Sequence, residues 1–347
     1  MEEREQKLQH ILNNAIDLKK VWGTSFGIQY QNQTWFGSSG NLSTQNQFFI
    51  ASTTKLFVTA ILLHLEAQKK LSLQDPIAKY LSQDILTGLH VLNKQDYSNQ
   101  ITLKNLLAHT SGIPDYFQQK NKSGNSLETD ILSGHDQSWT FEKCLEISKS
   151  ISPKFIPNTP GKTHYSDTNF QLLGKIIENI TSKSFVENLN EIILNPLELS
   201  NTYLYTDPSD NRPQKMYYKN KEIDIPLAMS SFGPDGGMVS TSPDLLKFIT
   251  AFFTGKLFPI SFLNYLEVWN KLFFPLEAGV GIQRFKLPWI LNPMGTIPVI
   301  MGHSGLSGAL AYYCPEKDLY IAGTVNQIAF PDTSFRLSIK LIQSALK

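Results

Sequence analysis

A chain of 347 residues is long enough for one large domain or two interlocked ones around a substantial core. Lysine plus arginine (31) nearly cancels aspartate plus glutamate (30), and the formal charge of +1 gives no support for nucleic acid or an anionic membrane as the main partner. Only Cys144 and Cys314 are present, far apart and without metal-ligand spacing, so they read as isolated small hydrophobes with a disulfide left open.

The opening Met1 to Lys7 is charged and leads to no signal-type apolar core, and no stretch reads as a membrane span. As written the chain reads as soluble and cytoplasmic; a leader removed ahead of Met1 would leave the same text and an extracytoplasmic protein. From Leu8 to Leu18 apolar residues recur at helical spacing, which predicts an amphipathic N-terminal helix. Ser25 to Tyr30 and Thr34 to Phe36 read as strands around the turn-like Gln31-Asn32-Gln33. Gly23-Thr24-Ser25-Phe26-Gly27 matches a nucleophile elbow in letters only. That motif needs a strand before it and a helix after it, and here the order is reversed, so Ser25 is assigned to a strand.

Phe49-Ile50-Ala51-Ser52 leads into an apolar, helix-compatible run from Leu56 to Leu65. Thr102 opens a short helix that His109-Thr110-Ser111-Gly112-Ile113-Pro114 breaks, and the polar stretch from Gln118 to Asp130 reads as a mobile surface loop. Helices follow over Phe141 to Ile151, Asn169 to Asn179 and Phe185 to Ile193, with Pro153, Pro157 and Pro160-Gly161 forcing an irregular path between the first two. Ser242-Pro243-Asp244 opens the helix from Leu245 to Phe253. Ile297 to Met301, Gly308 to Tyr313 and Leu319 to Val325 read as strands, with a turn at Pro315 to Asp318, and Ser334 to Leu346 closes the chain as a helix. The order implies a discontinuous α/β domain, residues 1–50 and 239–347, facing a mostly helical domain, residues 51–238. Neither an internal repeat nor a low-complexity tract is visible.

Chemistry concentrates at Ser52-Thr53-Thr54-Lys55. On a helix starting at the serine, residues three apart stack on one face, which holds a hydroxyl against an amine. The helix dipole and burial would both lower the lysine pKa and let the amine relay the serine proton. A second Ser-x-x-Lys, Ser344 to Lys347, ends the chain with no element after it to hold it. Two further stretches give Ser52 its context: Thr163-His164-Tyr165-Ser166-Asp167-Thr168-Asn169 and Gly302-His303-Ser304-Gly305-Leu306.

With these three motifs in this order, the sequence resembles the class C β-lactamases and the related D-alanyl-D-alanine carboxypeptidases, penicillin-binding proteins and esterases. The resemblance runs from about Trp22 to Val325 and extends to Asn105 to Gly112, Pro160-Gly161, Asn169 to Gly174 and Gly236 to Thr241. It implies an antiparallel sheet flanked by N- and C-terminal helices plus a mostly helical domain. It also implies that Ser52 becomes acylated, that Lys55 and Tyr165 share the general-base duty, and that Asp167, His303, Ser304, Gly305 and Leu306 bind substrate. A protonated His303 or Lys55 would favour the Tyr165 phenolate. Backbone N–H groups of Ser52 and Leu306 would form the oxyanion hole. Asp167 departs from the asparagine usual in the family; ionised, it can only accept hydrogen bonds, and it favours a protonated Lys55.

The expected activity is hydrolysis of an amide or ester through an acyl-enzyme, without metal or organic cofactor. The motif His303-Ser304-Gly305 resembles D-Ala-D-Ala carboxypeptidases and D-amino-acid peptidases more than true β-lactamases. A short-chain esterase or weak β-lactamase is the alternative, and a non-catalytic scaffold of the same fold the alternative of another class. The implied partner is a small molecule or peptide, such as a peptidoglycan-like peptide, a β-lactam or an ester, with no nucleic acid and no fixed oligomeric state. His109 reads as a structural hydrogen-bonding residue, and His64 and His164 lack ligand-spaced partners. Trp139, Trp289 and Phe117 read equally as packing or as substrate-site lining.

Overall fold

Strand-forming sequence from both ends of the chain meets in one sheet. In the computed structural model, which describes residues 2–120 and 124–347, β1 (Gly23–Tyr30) and β2 (Gln33–Gly40) join six later strands. These are β3 (Asn270–Phe273), β4 (Leu276–Ala278), β5 (Gln283–Phe285), β6 (Ile300–Ser304), β7 (Ala309–Cys314) and β8 (Leu319–Thr324). The order is β3-β4-β5-β6-β7-β8-β1-β2 and every pairing is antiparallel. The hairpin joining β1 to β2 turns at Gln31 and Asn32, both at positive φ, as the right-handed twist of two strands demands.

Five helices matter to the site: α1 (Glu2–Asn13), α2 (Lys55–Ala67), α3 (Asp167–Thr181), α4 (Ser242–Phe253) and α5 (Pro331–Ala345). Alternation along β7 sorts them into layers. Leu310, Tyr312 and Cys314 pack with Leu8 and Leu12 of α1 and Leu341 and Ile342 of α5. Ala309 and Ala311 point the other way, into the core shared by α2, α3 and α4, where their small size lets α4 lie close to the sheet. Phe57 of α2 and Phe248 of α4 stack within that core. Ser25 sits in β1, as expected, and its hydroxyl meets that of Ser242 at 2.8 Å. Both cysteines are buried and free.

Several boundaries differ from expectation for local reasons. The N-terminal helix begins earlier and ends at Asn13; the Asp17 carboxylate then accepts the N–H groups of Lys19, Lys20 and Val21 and replaces its last predicted turn by a loop. Strands β3 to β5 are three or four residues long and were not predicted, because so short a run carries almost no period-two signal. The strand expected from Ile297 starts at Ile300, since Pro298 has no N–H to give a ladder. Part of the predicted loop Gln118 to Asp130, residues 121–123, lies outside the described residues. Beyond it the Ser126 hydroxyl caps a helix, Leu127–Leu132, which buries Ile131. Among the described residues no helix is long and apolar enough to cross a membrane.

The end of β6 is pressed against the start of α2 at one point. A Cβ added at Gly305 would lie 2.2 Å from the Ile50 carbonyl oxygen and 3.0 Å from the Ala51 Cβ. Neither backbone can yield without moving Ser52 away from the sheet. Gly305→Ala is therefore expected to cost about 1–3 kcal/mol of stability in thermal denaturation. It should also slow fluorophosphonate labelling of the protein by ~10-fold or more, because displacement of a reacting group by about 1 Å is that expensive.

Candidate active site

Ser52 is aimed by a strained turn. Phe48–Phe49 pairs with Met238–Ser240, and the Ile50 N–H donates to the Met238 carbonyl at 2.9 Å. Ala51 then takes φ +44°, a left-handed backbone that costs a non-glycine residue roughly 1 kcal/mol. Residues Ala51–Thr54 form a 3₁₀ turn that passes into α2 at Lys55. The serine thus precedes the α-helix proper instead of starting it, yet the three-residue spacing still brings the two side chains together: Lys55 Nζ donates to Ser52 Oγ at 3.1 Å.

Lys55 is wholly buried. Its ammonium also donates to Asp167 Oδ1 at 2.6 Å and to the Asp235 carbonyl at 2.5 Å, and it lies over the rings of Tyr165 and Phe170. Burial is the largest single influence and works against its charge, but Asp167, Tyr165 and Asp235 acting together outweigh it, and the amine is held above its ordinary range. The expected neutral amine is therefore absent from the resting site. The helix dipole and burial are overcome by the combined charges around the ammonium, Asp167 foremost among them.

Tyr165 donates its O–H to Ser52 Oγ at 2.8 Å. Burial raises this phenol above its ordinary range although Lys55 pulls the other way, so at rest it is a donor and not a phenolate. Its ring stacks on His109, centroids 4.5 Å apart. His109 occupies a left-handed backbone position, accepts the Ser166 N–H on Nδ1 at 3.2 Å and receives the His164 N–H on its carbonyl. Its role is to hold the tyrosine loop. Burial, then the Lys55 charge, keeps the His109 imidazole well below its usual range.

The helix α3 begins at Asp167 itself, two residues earlier than expected, and this puts Asp167 in the first turn, facing Lys55. Asp115 caps that start: Oδ1 accepts the Asp167 N–H at 2.7 Å and Oδ2 the Gln118 N–H at 2.6 Å. Tyr116 and Gln171 both donate to Asp235 Oδ2, while Asp235 Oδ1 is buried without a partner. Three buried carboxyl groups therefore surround one ammonium.

Ser52 and Tyr165 open into a cavity of about 260 Å³ that Ser304, Gly305 and Leu306 also line. Gln283 Oε1 accepts the Ser304 hydroxyl at 3.2 Å and fixes its direction. Among the described residues neither the Ser52 nor the Leu306 backbone N–H meets a protein acceptor. His303 departs from expectation. Alternation along β6 turns it to the opposite face from Ser304; it is 2 % exposed, its Nδ1 contacts the Ser304 carbonyl at 2.8 Å, and it is not part of the cavity wall. Burial, then the nearby Lys55 charge, pushes its imidazole down to about 3, so it supplies no positive charge to Tyr165 at neutral pH.

Three distant segments thus converge on one hydroxyl. Ser52, Lys55, Tyr165, Asp167, Ser304, Gly305 and Leu306 come together, and His303 stands behind them. Phe117 lines the cavity, Trp139 packs against it from behind, and Trp289 is at the surface, 76 % exposed. Asp115, Asp235 and Gln283 were missed. Asp115 follows a helix break and Asp235 precedes two glycines, positions that read as turn residues; Gln283 sits on one of the unpredicted strands.

Comparison with known proteins gives one answer throughout. The family model described as Beta-lactamase matches residues 9–340. A teichoic acid D-alanine hydrolase of Staphylococcus aureus is 28 % identical over 237 residues, 65 % of this chain and 51 % of that protein. The chain thus spans about half the length of this relative. A D-stereospecific amidohydrolase from Streptomyces sp. superposes with a TM-score of 0.77 at 25 % identity, covering 97 % of both chains. The D-amino acid amidase of Ochrobactrum anthropi SV3 gives 0.80 at 22 % identity, covering 99 % of this chain and 98 % of its own, and shows the same fold.

The capping carboxyl at Asp115 makes a pH prediction. Burial, reinforced by the Asp167 charge, pushes it from an ordinary 3.8 up to about 7. A carboxyl that binds its proton more tightly when folded stabilises the fold below about 4, and that contribution is lost as pH rises through about 7. Asp115→Asn removes this titration. Urea denaturation of both proteins should show the wild type losing roughly 2 kcal/mol or more relative to the variant between pH 4 and 8. A difference that stays constant with pH would refute the assignment.

Proposed function

The chain belongs to the Beta-lactamase family, whose members are serine hydrolases, and we propose that it hydrolyses an amide or ester of a D-amino acid through an acyl-enzyme at Ser52. The observation that carries this reading is the double contact on one oxygen, Lys55 Nζ at 3.1 Å and Tyr165 O–H at 2.8 Å from Ser52 Oγ. The proposed lobes are residues 1–50 with 239–347 and residues 51–238.

The resting protonation states define the route. Lys55 is already an ammonium, so it can take the Ser52 proton only while passing one of its own to Asp167 Oδ1, 2.6 Å away. Ser52 Oγ then bonds to the substrate carbonyl carbon, and the carbonyl oxygen becomes an oxyanion facing the backbone N–H groups of Ser52 and Leu306. Collapse breaks the bond to the leaving nitrogen or oxygen, which takes the Tyr165 proton. In the second half water attacks the acyl carbon and returns a proton to the phenolate, while Ser52 leaves with the proton held by the Lys55–Asp167 pair. His303 acts through Ser304 in this scheme and does not touch substrate.

Charge supports the choice of substrate. Among the described residues the cavity wall carries the carboxyl residues Glu128, Asp167 and Asp235 and no lysine, arginine or histidine; the rest is largely Phe117, Ile131, Met229, Phe232 and Phe273. A C-terminal D-Ala-D-Ala carboxylate or the carboxylate of a β-lactam would meet no cationic side chain there among the described residues. An amide or ester that carries no carboxylate but has a free amino group and an apolar side chain fits the wall. The names of two relatives, a D-alanine hydrolase and a D-stereospecific amidohydrolase, agree with that class.

A substrate panel tests the reading. D-Phenylalanine amide and D-alanyl p-nitrophenyl esters should turn over at least ~10-fold faster, by kcat/KM, than D-Ala-D-Ala peptides or nitrocefin. Ser52→Ala should abolish both turnover and fluorophosphonate labelling; turnover that survives this variant would reject Ser52 as nucleophile. In Asp167→Asn the amide cannot accept the Lys55 proton, and kcat should fall by about 10- to 100-fold with KM little changed. Unchanged kinetics on every substrate would remove Asp167 from the relay.

A further inference from the structure

Six large apolar side chains are exposed at one end of the sheet. Phe273 (54 %) and Phe274 (71 %) lie at the turn between β3 and β4. Trp289 (76 %), Ile290 (79 %), Leu291 (56 %) and Met294 (84 %) lie on the connection from β5 to β6. Antiparallel pairing brings the two connections out side by side: Leu276 opposes Phe285, and the Lys286 N–H reaches the Pro275 carbonyl. Scattered exposed apolar residues are normal on a protein, but a contiguous cluster of this kind marks a contact surface.

The longer connection is a built element. Asn292 and Ile297 clasp each other through Asn292 Nδ2 to the Ile297 carbonyl at 2.7 Å and the Ile297 N–H to Asn292 Oδ1 at 3.1 Å. Gln343 of α5 donates to the Thr296 carbonyl and ties the loop to the body of the protein. These bonds satisfy the backbone while the Trp289–Leu291 turn and Met294 face outward.

Charge identifies the occupant. Residues 270–275 and 286–299 contain Lys271 and Lys286 and no aspartate or glutamate. Both lysines are exposed and, among the described residues, neither has a carboxylate partner. A tryptophan and aliphatic side chains at a tip flanked by lysines match the boundary of a bilayer whose headgroups are negative. A second copy meeting this surface about a twofold axis would set the same lysines against each other. The patch also runs into the cavity: Phe273 belongs to both, with its ring 6.5 Å from that of Tyr165.

We propose that the Phe273–Phe274 turn and the Trp289–Met294 loop form a docking surface for an anionic lipid bilayer, which brings the mouth of the Ser52 cavity to the membrane surface. The near-zero net charge of the whole chain conceals this surface, because the two lysines are balanced by acidic residues elsewhere. Sedimentation with vesicles of phosphatidylcholine, and of phosphatidylcholine with one quarter phosphatidylglycerol, tests the proposal on the full chain. The wild type should bind the anionic vesicles, less so in high salt, and the triple variant Trp289→Ser, Ile290→Ser, Met294→Ser should bind ~10-fold or more weakly. Lys271→Glu with Lys286→Glu should erase the preference for anionic vesicles. Both variants should keep the wild-type circular dichroism and the wild-type rate of fluorophosphonate labelling. The proposal fails if the wild type sediments with neither vesicle or equally with both. It also fails if the triple variant binds like wild type, or if the patch instead drives concentration-dependent self-association that the triple variant abolishes.

Discussion

A single ammonium with no access to water organises this molecule. Lys55 reaches the serine of its own turn, a carboxylate at the start of α3 and a backbone carbonyl in the Gly233–Gly237 loop. Removing a charge from water is costly unless polar partners replace the lost solvent, and here those partners come from three segments far apart in sequence. The fold supplies them by making α2 the central helix, packed against α3 and against the sheet side that carries α4. The close approach of Gly305 to Ile50 belongs to the same constraint, since it closes the fourth side of the site.

Charge within the site is unbalanced. Asp115, Asp167 and Asp235 all lie close to Lys55, and burial followed by the Asp167 charge holds both Asp115 and Asp235 above the ordinary carboxyl range. Protons on some of these carboxyls are the least costly way to reconcile three acids with one cation. Two of these three, Asp167 and Asp235, also line the cavity together with Glu128, so the carboxyls that hold Lys55 are shared with the space beside Ser52. The resemblance read in the sequence leads one to expect asparagine where Asp167 stands, and the aspartate adds a carboxyl to that balance.

Much of this was legible in the sequence, and the failures have physical causes. The Ser52, Tyr165 and Ser304 segments could be placed because each joins a chemical residue to a strong local signal: an apolar helical run, a helix start, a strand end. The first and last helices, α4, β1 and the hairpin pair β7 and β8 followed from periodicity and turn residues alone. What escaped depends on contacts across the chain. For Lys55 the sequence offered two opposed influences, dipole and burial against the Asp167 carboxylate, and only the contact made across 112 residues shows which side prevails. His303 was placed on the cavity wall because only the pleat of β6 tells which face it takes. Asp115 and Asp235 carry no local pattern that separates a capping or charge-balancing acid from a turn residue.

The left-handed backbone at Ala51 carries a separate consequence. A branched or bulky residue there would raise an already unfavourable conformation and press on Gly305, whereas glycine would relax it and loosen the turn that aims Ser52. Alanine is therefore a compromise between steric tolerance and rigidity, and any side chain larger than a methyl at 51 meets both the backbone strain and the contact with Gly305.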